Sequence, residues 1–230
     1  MNYTVKCYEL YILGGDKMRL RLSALAMIIL LTTPLLGSDW MFEGFLGGAW
    51  NVPTYLTIVQ KGYTDISLKA EYEERTFEGF PYYDLRLSRW SNDRAWELEL
   101  VHHKIYLANP SAEIQRFSIS DGFNIIAINR AWDVKKIIWR LGAGVVLTHP
   151  ESTIRGSAFD EHKGLFAAGL YFSGVALQAA VGKQAKLWRG LFLSFEGKVT
   201  VSFVQVPIHS GHADLSNVAF HILAGLGYRI

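Results

Sequence analysis

The chain has 230 residues, half of them hydrophobic, 13% aromatic and 19% charged. That length allows one or two domains with a sizeable core, while a single cysteine and a formal net charge of +2 leave no disulfide framework and no basic nucleic-acid footprint. No apolar run of 18 residues occurs beyond position 40, which excludes helical membrane spans there.

The N-terminus has its own character. From Met18 it reads MRLRLSALAMIILLTTPLLGSDW. Arg19 and Arg21 make a basic start, Leu22 to Leu36 an apolar core, and Gly37 and Ser38 offer the small residues a signal peptidase needs. A core of about 15 residues is short for a membrane span, and Pro34 breaks its end. The pattern predicts a division into 1–38, an N-terminal extension and signal-peptide helix with Met18 as the true initiator, and 39–230, an exported domain. Cys7 precedes the signal, so the exported part has no thiol for a disulfide, a metal or a lipid anchor. Residues 1–38 hold four bases (Lys6, Lys17, Arg19, Arg21) and two acids (Glu9, Asp16), which leaves 19 of each in the exported part.

The segment 41–60, MFEGFLGGAWNVPTYLTIVQ, reads either as a lead-in or as an extra hairpin turning at Asn51–Pro53. Beyond it the chain alternates with period two, the mark of strands with two different faces. In 64–74, Ile66, Leu68, Ala70 and Tyr72 oppose Ser67, Lys69, Glu71 and Glu73. In 82–90, Tyr83, Leu85 and Leu87 oppose Asp84, Arg86 and Ser88, and in 95–106, Trp96, Leu98 and Leu100 oppose Glu97, Glu99 and His103. Segments 121–131, 137–148 and 172–185 are more apolar, with Asn124, Asn129, Arg140 and Gln178 as polar members. In 191–205 a face of Leu193, Phe195, Val199 and Val201 opposes Ser194, Glu196, Lys198 and Thr200. In 217–230, Phe220, Ile222, Leu226 and Tyr228 oppose His221 and Arg229.

These strands are longer than the roughly 5–6 residues usual in a soluble sheet and long enough for a tilted membrane crossing. Trp90, Trp96, Trp132, Trp139, Trp188 and Tyr228 gather at strand ends, as an interfacial girdle does. The connectors 91–94, 133–136 and 187–190 are tight, whereas 107–120, 149–163 and 207–215 are long, which is the alternation of outer-membrane barrels. The predicted fold is all-β: an antiparallel up-and-down transmembrane β-barrel of eight strands, with ten as the alternative if 41–60 is a hairpin. The lipid-facing side is the apolar one. Lys69, Glu71, Glu73, Asp84, Arg86, Glu97, Glu99, Arg140, Glu196, Lys198 and Arg229 then point into the lumen, where an eight-strand barrel has just enough room for side chains to fill it.

Signal, alternating strands and an apolar last strand with Tyr228 two places from its end resemble small bacterial outer-membrane β-barrel proteins. The resemblance implies residence in the outer membrane of a Gram-negative-type envelope, contact with outer-membrane lipid and lipopolysaccharide, and assembly by the barrel assembly machinery through the C-terminal strand. Such chains usually end on an aromatic residue, and this one ends on Ile230.

No GxSxG, HExxH or P-loop occurs, and no cofactor is called for. Gly47-Gly48 and Gly142-x-Gly144 are not followed by helices and read as strand glycines. The histidines are the remaining chemistry. With the tight turns inward, His102, His103, His149, His162, His209 and His212 fall near the outer rim and His221 in the upper half of the last strand. His103, His149, His162, His212 and His221 are candidate rim ligands for a metal or another partner. With the carboxylates Glu99, Glu151, Asp160 and Glu161 and the hydroxyls Ser152 and Ser210, they also suit acyl hydrolysis. IHSGHADLSN (208–217) is similar to the His-x-Ser-Asn segment of the lipid A 3-O-deacylase family. His209 matches its histidine, its serine position falls on Gly211, and Ser210 stands one place before. This resemblance implies a lipid A-modifying hydrolase working through His209, Ser210 and Glu99. The leading reading is a barrel with a plugged polar lumen and a structural or binding role through its outer loops. The lipid A hydrolase and a narrow channel are the alternatives.

Overall fold

The computed structural model describes residues 39–76, 81–159, 164–165 and 168–230. The predicted signal peptide, Met18, Cys7, Asp160, Glu161 and His162 lie outside them. Twelve strands form among the described residues, and no helix. They are β1 (Asp39–Val52), β2 (Thr54–Gln60), β3 (Ile66–Ala70), β4 (Tyr72–Glu73), β5 (Tyr83–Ser91), β6 (Arg94–Leu107), β7 (Ile114–Val134), β8 (Ile137–Ile154), β9 (Ser157–Ala158), β10 (Tyr171–Trp188), β11 (Leu191–Ile208) and β12 (Gly211–Arg229).

Eight of these close into a ring in the order β1-β5-β6-β7-β8-β10-β11-β12, with β12 pairing back to β1 from Met41↔Arg229 to Val52↔Val218. All pairings are antiparallel between neighbours, so the molecule is an up-and-down barrel of eight strands. Closure leaves no free edge in the ring, which is the condition for crossing lipid with strands.

The count agrees with the sequence reading, but its membership does not. Segment 41–60 supplies a full barrel strand, β1. Segment 64–74 is not in the ring: β3 pairs β2, and β4 pairs only the top of β6 at Leu107 and Tyr106. Lys69, Glu71 and Glu73, expected in the lumen, are exposed to solvent. Alternation identifies a two-faced strand without saying which solvent meets its polar face, and here that solvent is water.

A second correction concerns the long connectors. Most of 107–120, 149–163 and 207–215 is strand: β7 runs 21 residues, β8 and β11 run 18, and β11 turns into β12 through His209 and Ser210 alone. The barrel therefore rises well above the length a bilayer needs. In this upper storey β2 pairs β12 above the end of β1, through Gly211↔Gln60 to Leu215↔Leu56. At the opposite end the turns are tight: Asn92–Asp93, Lys135–Lys136 and Arg189–Gly190 each join strands with two residues.

The outer wall of the lower storey is apolar. On β12 the exposed or half-buried side chains from Val218 to Tyr228 are Val218, Phe220, Ile222, Ala224, Leu226 and Tyr228. Ten residues of rise at about 3.3 Å, tilted by about 40°, make a band of about 25 Å, the height of a barrel's lipid-facing belt. The aromatic side chains Trp96, Trp139, Trp188 and Tyr228 are exposed along its lower edge, and Trp50 stacks on Phe220 further up.

Candidate functional site

The lumen is filled in three layers. At the inner mouth Met41, Trp90, Ala95, Ala131, Ile138 and Phe192 form a buried apolar cluster. Above it stands a charged layer. Higher still, a second and larger apolar cluster includes Leu56, Ile58, Val101, Ile105, Ile119, Phe123, Ile125, Val146, Val204, Val206 and Leu215.

The charged layer is one connected network. Arg86, fully buried, donates from Nε to Glu99 at 2.8 Å and from Nη2 to Glu196 at 2.7 Å, and its Nη1 lies 3.4 Å from Glu43. Arg140 donates to Glu97 at 2.9 Å and to Glu196 at 2.8 Å. Lys198 donates to Glu99 at 2.9 Å and also to Asp84. Amides and hydroxyls serve further carboxylate oxygens: Asn129 donates to Glu99 at 2.9 Å, Ser194 and Gln184 to Glu43 at 2.6 and 3.0 Å, and Ser88 to Glu97 at 3.1 Å. Desolvated charges persist only when paired and hydrogen-bonded in this way. The backbone makes room for them. A side chain on Gly142 would collide with the Asn129 amide, and one on Gly182 would crowd Arg140 and Glu196. These lumen-facing glycines set space for the plug as well as curvature.

Of the predicted lumen charges, Asp84, Arg86, Glu97, Glu99, Arg140, Glu196 and Lys198 are brought together, whereas Lys69 and Glu71 are not and Arg229 stands exposed at the inner mouth. Glu43 is the member that sequence reading missed. It is the one charge in MFEGFLGGAW and shares parity with Met41 and Phe45, so treating that stretch as a barrel strand places it inside.

Among the described residues the histidines do not form one rim site. His103 and His221 are buried inside the barrel with ring centroids 5.4 Å apart. His221 lies between two hydroxyls, Tyr82 at 3.0 Å from Nδ1 and Thr200 at 2.9 Å from Nε2. His102 stacks on Tyr83 at 4.6 Å and meets Asn124 at 2.8 Å. His212 lies 3.4 Å from Asp214 on the outer wall. Among the histidines of the described residues, His149 alone joins a potential metal-ligand set, with Asp121 and Glu151, whose ligand atoms lie within 4.8 Å of one another. The β-bulge between Ile119 and Phe123 brings Asp121 there by setting three residues of β7 against one of β8. Glu151 is already engaged by Arg116 and by Ser120 at 2.5 Å, so this cluster is first an ion-pair and hydrogen-bond group.

The hydrolase set does not assemble. His209 and Ser210 occupy the tight turn at the top of β11–β12, with Ser210 at φ 58°. Glu99 is held by Lys198, which lies eleven residues below His209 along β11, or about 35 Å at about 3.3 Å per residue. The carboxylate is committed to the plug, out of reach of His209 and Ser210. A period-two reading places residues on faces but not at heights, which is why the three looked combinable.

No family model matches the chain, and no curated protein matches it. Among solved structures it is similar to Neisserial surface protein A (NspA), at 10% identity over 84% of this chain and 97% of that one, with a TM-score of 0.37. It is similar to Ail, the attachment invasion locus protein of Yersinia pestis, at 12% identity over 84% and 99%, with a TM-score of 0.38. It is also similar to the outer membrane protein OprG from Pseudomonas aeruginosa, at 11% identity over 84% and 96%, with a TM-score of 0.44.

Proposed function

We propose that the protein is a bacterial outer-membrane barrel whose lumen carries neither solute nor reaction and whose work is done by its projecting outer storey as a binding surface. The observation behind this reading is the three-layer filling of the lumen, apolar at both ends and ion-paired between. Hydrated ions meet hydrocarbon at two levels, and the charges that would line a conducting pore are already paired with one another. The apolar belt and tight inner turns fit insertion with the upper storey outside the cell. Its immediate partners in that orientation are outer-membrane lipid and lipopolysaccharide. The apolar stripe Ile222, Leu226, Tyr228 and Ile230 of the last strand suits capture by the assembly machinery. Export through a cleaved leader belongs to the same reading, and intact mass of the membrane-inserted protein tests it.

Reconstitution into planar bilayers tests the central claim. The folded barrel, identified by a mobility change on boiling, is expected to add no conductance to the lipid background. Stepwise currents from unboiled protein would overturn the reading. Lipid A from producing cells is expected to keep its acyl chains.

A further inference from the structure

We propose that the inner mouth of the barrel is a binding site for a phosphate group. There the turns and strand ends enclose a cavity of about 250 Å³ lined by Lys136, Lys186, Arg189 and Arg229 against a single carboxylate, Asp133. Its floor is the apolar layer of Ile138 and Phe192, which keeps water from entering beneath a bound ion. The acid offsets at most one of the four charges and forms no ion pair with any of them: Asp133 Oδ1 accepts the backbone N–H of Lys136 at 2.8 Å and so holds the turn. Arg229 reaches only the Met41 sulfur, at 3.5 Å, and Arg189 lies over the Trp188 ring at 4.8 Å. Four cations therefore converge with no carboxylate paired to them among the described residues.

The backbone of the turns adds an independent observation. Lys135 and Lys136 stand at φ 54° and 67°, the left-handed pair of a two-residue type I′ turn, and Arg189 stands at φ 47°. Glycine, asparagine and aspartate adopt that conformation readily and long side chains do not. The mouth thus carries cations at positions where conformational ease favours Asn-Gly, which fits selection for their charge. The ligand class follows from the donors. Two guanidinium forks and two ammonium groups supply more charge than a lone carboxylate needs, and they match the oxygens of a phosphate. The aromatic belt sets this mouth at headgroup level on the inner side, so the phosphate can come from a phospholipid headgroup or from solution. That placement rests on the membrane insertion proposed above, whereas the anion chemistry does not.

Calorimetric titration of the folded barrel in non-ionic detergent with inorganic phosphate tests the chemistry without reference to a membrane. We expect saturable binding that weakens as sodium chloride is raised. Lys186→Gln is expected to lower affinity about tenfold, the loss of one charge-assisted contact. Lys136→Gly is expected to lower it similarly while raising the unfolding temperature, because glycine relaxes the turn; a purely structural lysine gives no such opposition. Lys61→Gln removes the same charge at the far end and is expected to change neither quantity. In nanodiscs, a rise in unfolding temperature with phosphatidylglycerol over phosphatidylcholine alone, lost in Lys186→Gln, identifies the headgroup as source. Phosphate binding in detergent without that rise identifies a soluble phosphate. The proposal fails if neither probe binds, or if Lys61→Gln weakens binding as much as Lys186→Gln.

Discussion

Above its apolar inner mouth the lower storey is polar inside and apolar outside, and the upper storey is the reverse, although the same strands build both. On β11, Phe195 and Val199 face outward while Glu196, Lys198 and Thr200 are buried within; six to eight residues further on, Gln205 faces outward while Val204 and Val206 are buried. On β12, Phe220 and Ile222 face out below, and Asp214 lies on the outer wall above between the buried Ala213 and Leu215. On β7, Ile126 and Ile128 face out below, while Phe117 and Ile119 are buried above with Arg116 outside. Over these stretches the side-chain parity is kept; only the solvent outside changes. Hydrocarbon outside sends apolar residues outward, and water outside sends them in, because the hydrophobic effect acts only where water is the alternative.

The contrast predicts different responses to damage. The largest is expected in the charged layer. Arg86→Ala leaves Glu99 and Glu196 in a dry lumen without their main partner, and breaking a buried pair typically costs about 3–5 kcal/mol. Arg86 serves two close carboxylates and two more distant ones, so the upper end of that range or beyond is expected. The temperature at which the folded band disappears on semi-native gels should fall steeply. Combining Arg86→Met with Glu99→Gln should recover part of the loss, since fewer charges then lack partners. A double variant as unstable as the sum of the singles would show that the layer is not one coupled network.

The apolar layer should respond by volume instead. Phe123 is fully buried and packs its ring 4.7 Å from that of His103. Phe123→Ala is expected to cost about 3–5 kcal/mol through lost transfer energy and a cavity. Phe123→Leu should cost less, and no second-site charge change should rescue either. Neither variant should conduct, because the inner apolar cluster and the ion-paired layer still close the barrel.

The reversal outside the wall is testable on one strand. Val199→Arg places a charge in the lipid belt and should cost about 2–4 kcal/mol near its midplane. Gln205→Arg, six residues up on the same face, meets water and should stay within about 0.5 kcal/mol of the parent. Equal effects at both positions would remove the distinction between storeys.

This boundary is written in the sequence of β11. In LFLSFEGKVTVSFVQVPI the even positions above Phe192 run Ser194, Glu196, Lys198, Thr200, Ser202 and then Val204, Val206, Ile208. The polar parity becomes apolar at one point, as it must where a strand leaves lipid for water. Reading 207–215 as a loop concealed the switch, because Pro207 and Gly211 are loop residues by composition yet sit here on either side of a two-residue turn. Ring size, face assignment and most of the plug could be read because period two is enforced by covalent geometry. Which histidines share a height could not, since height depends on register and tilt, and these are set by pairing between distant segments. His209 and Glu99 show that difference most clearly.

The smallest effect is expected at the seam between storeys, where β5 ends and the segment 71–76 replaces it beside β1. Glu74 sits there and accepts the Ala49 backbone N–H at 2.7 Å. Burial pushes its carboxyl up to about 7, against partial relief from that hydrogen bond and from the Lys104 charge. The sign follows from proton linkage. Between the ordinary carboxylate range and about 7 the unfolded chain has lost this proton and the folded chain keeps it. Stability from this group is therefore complete at acidic pH and falls as pH rises through about 7. One pH unit of such a shift is worth about 1.4 kcal/mol, and partial exposure to water reduces the total, so about 1 kcal/mol is expected between pH 5 and 8. Glu74→Gln keeps an oxygen for the Ala49 N–H and removes the titration. Its unfolding temperature should match the parent at pH 5 and exceed it at pH 8, by tryptophan fluorescence on the folded barrel. A difference between parent and variant that is the same at both pH values would mean that Glu74 is ionised throughout, and that water reaches the seam.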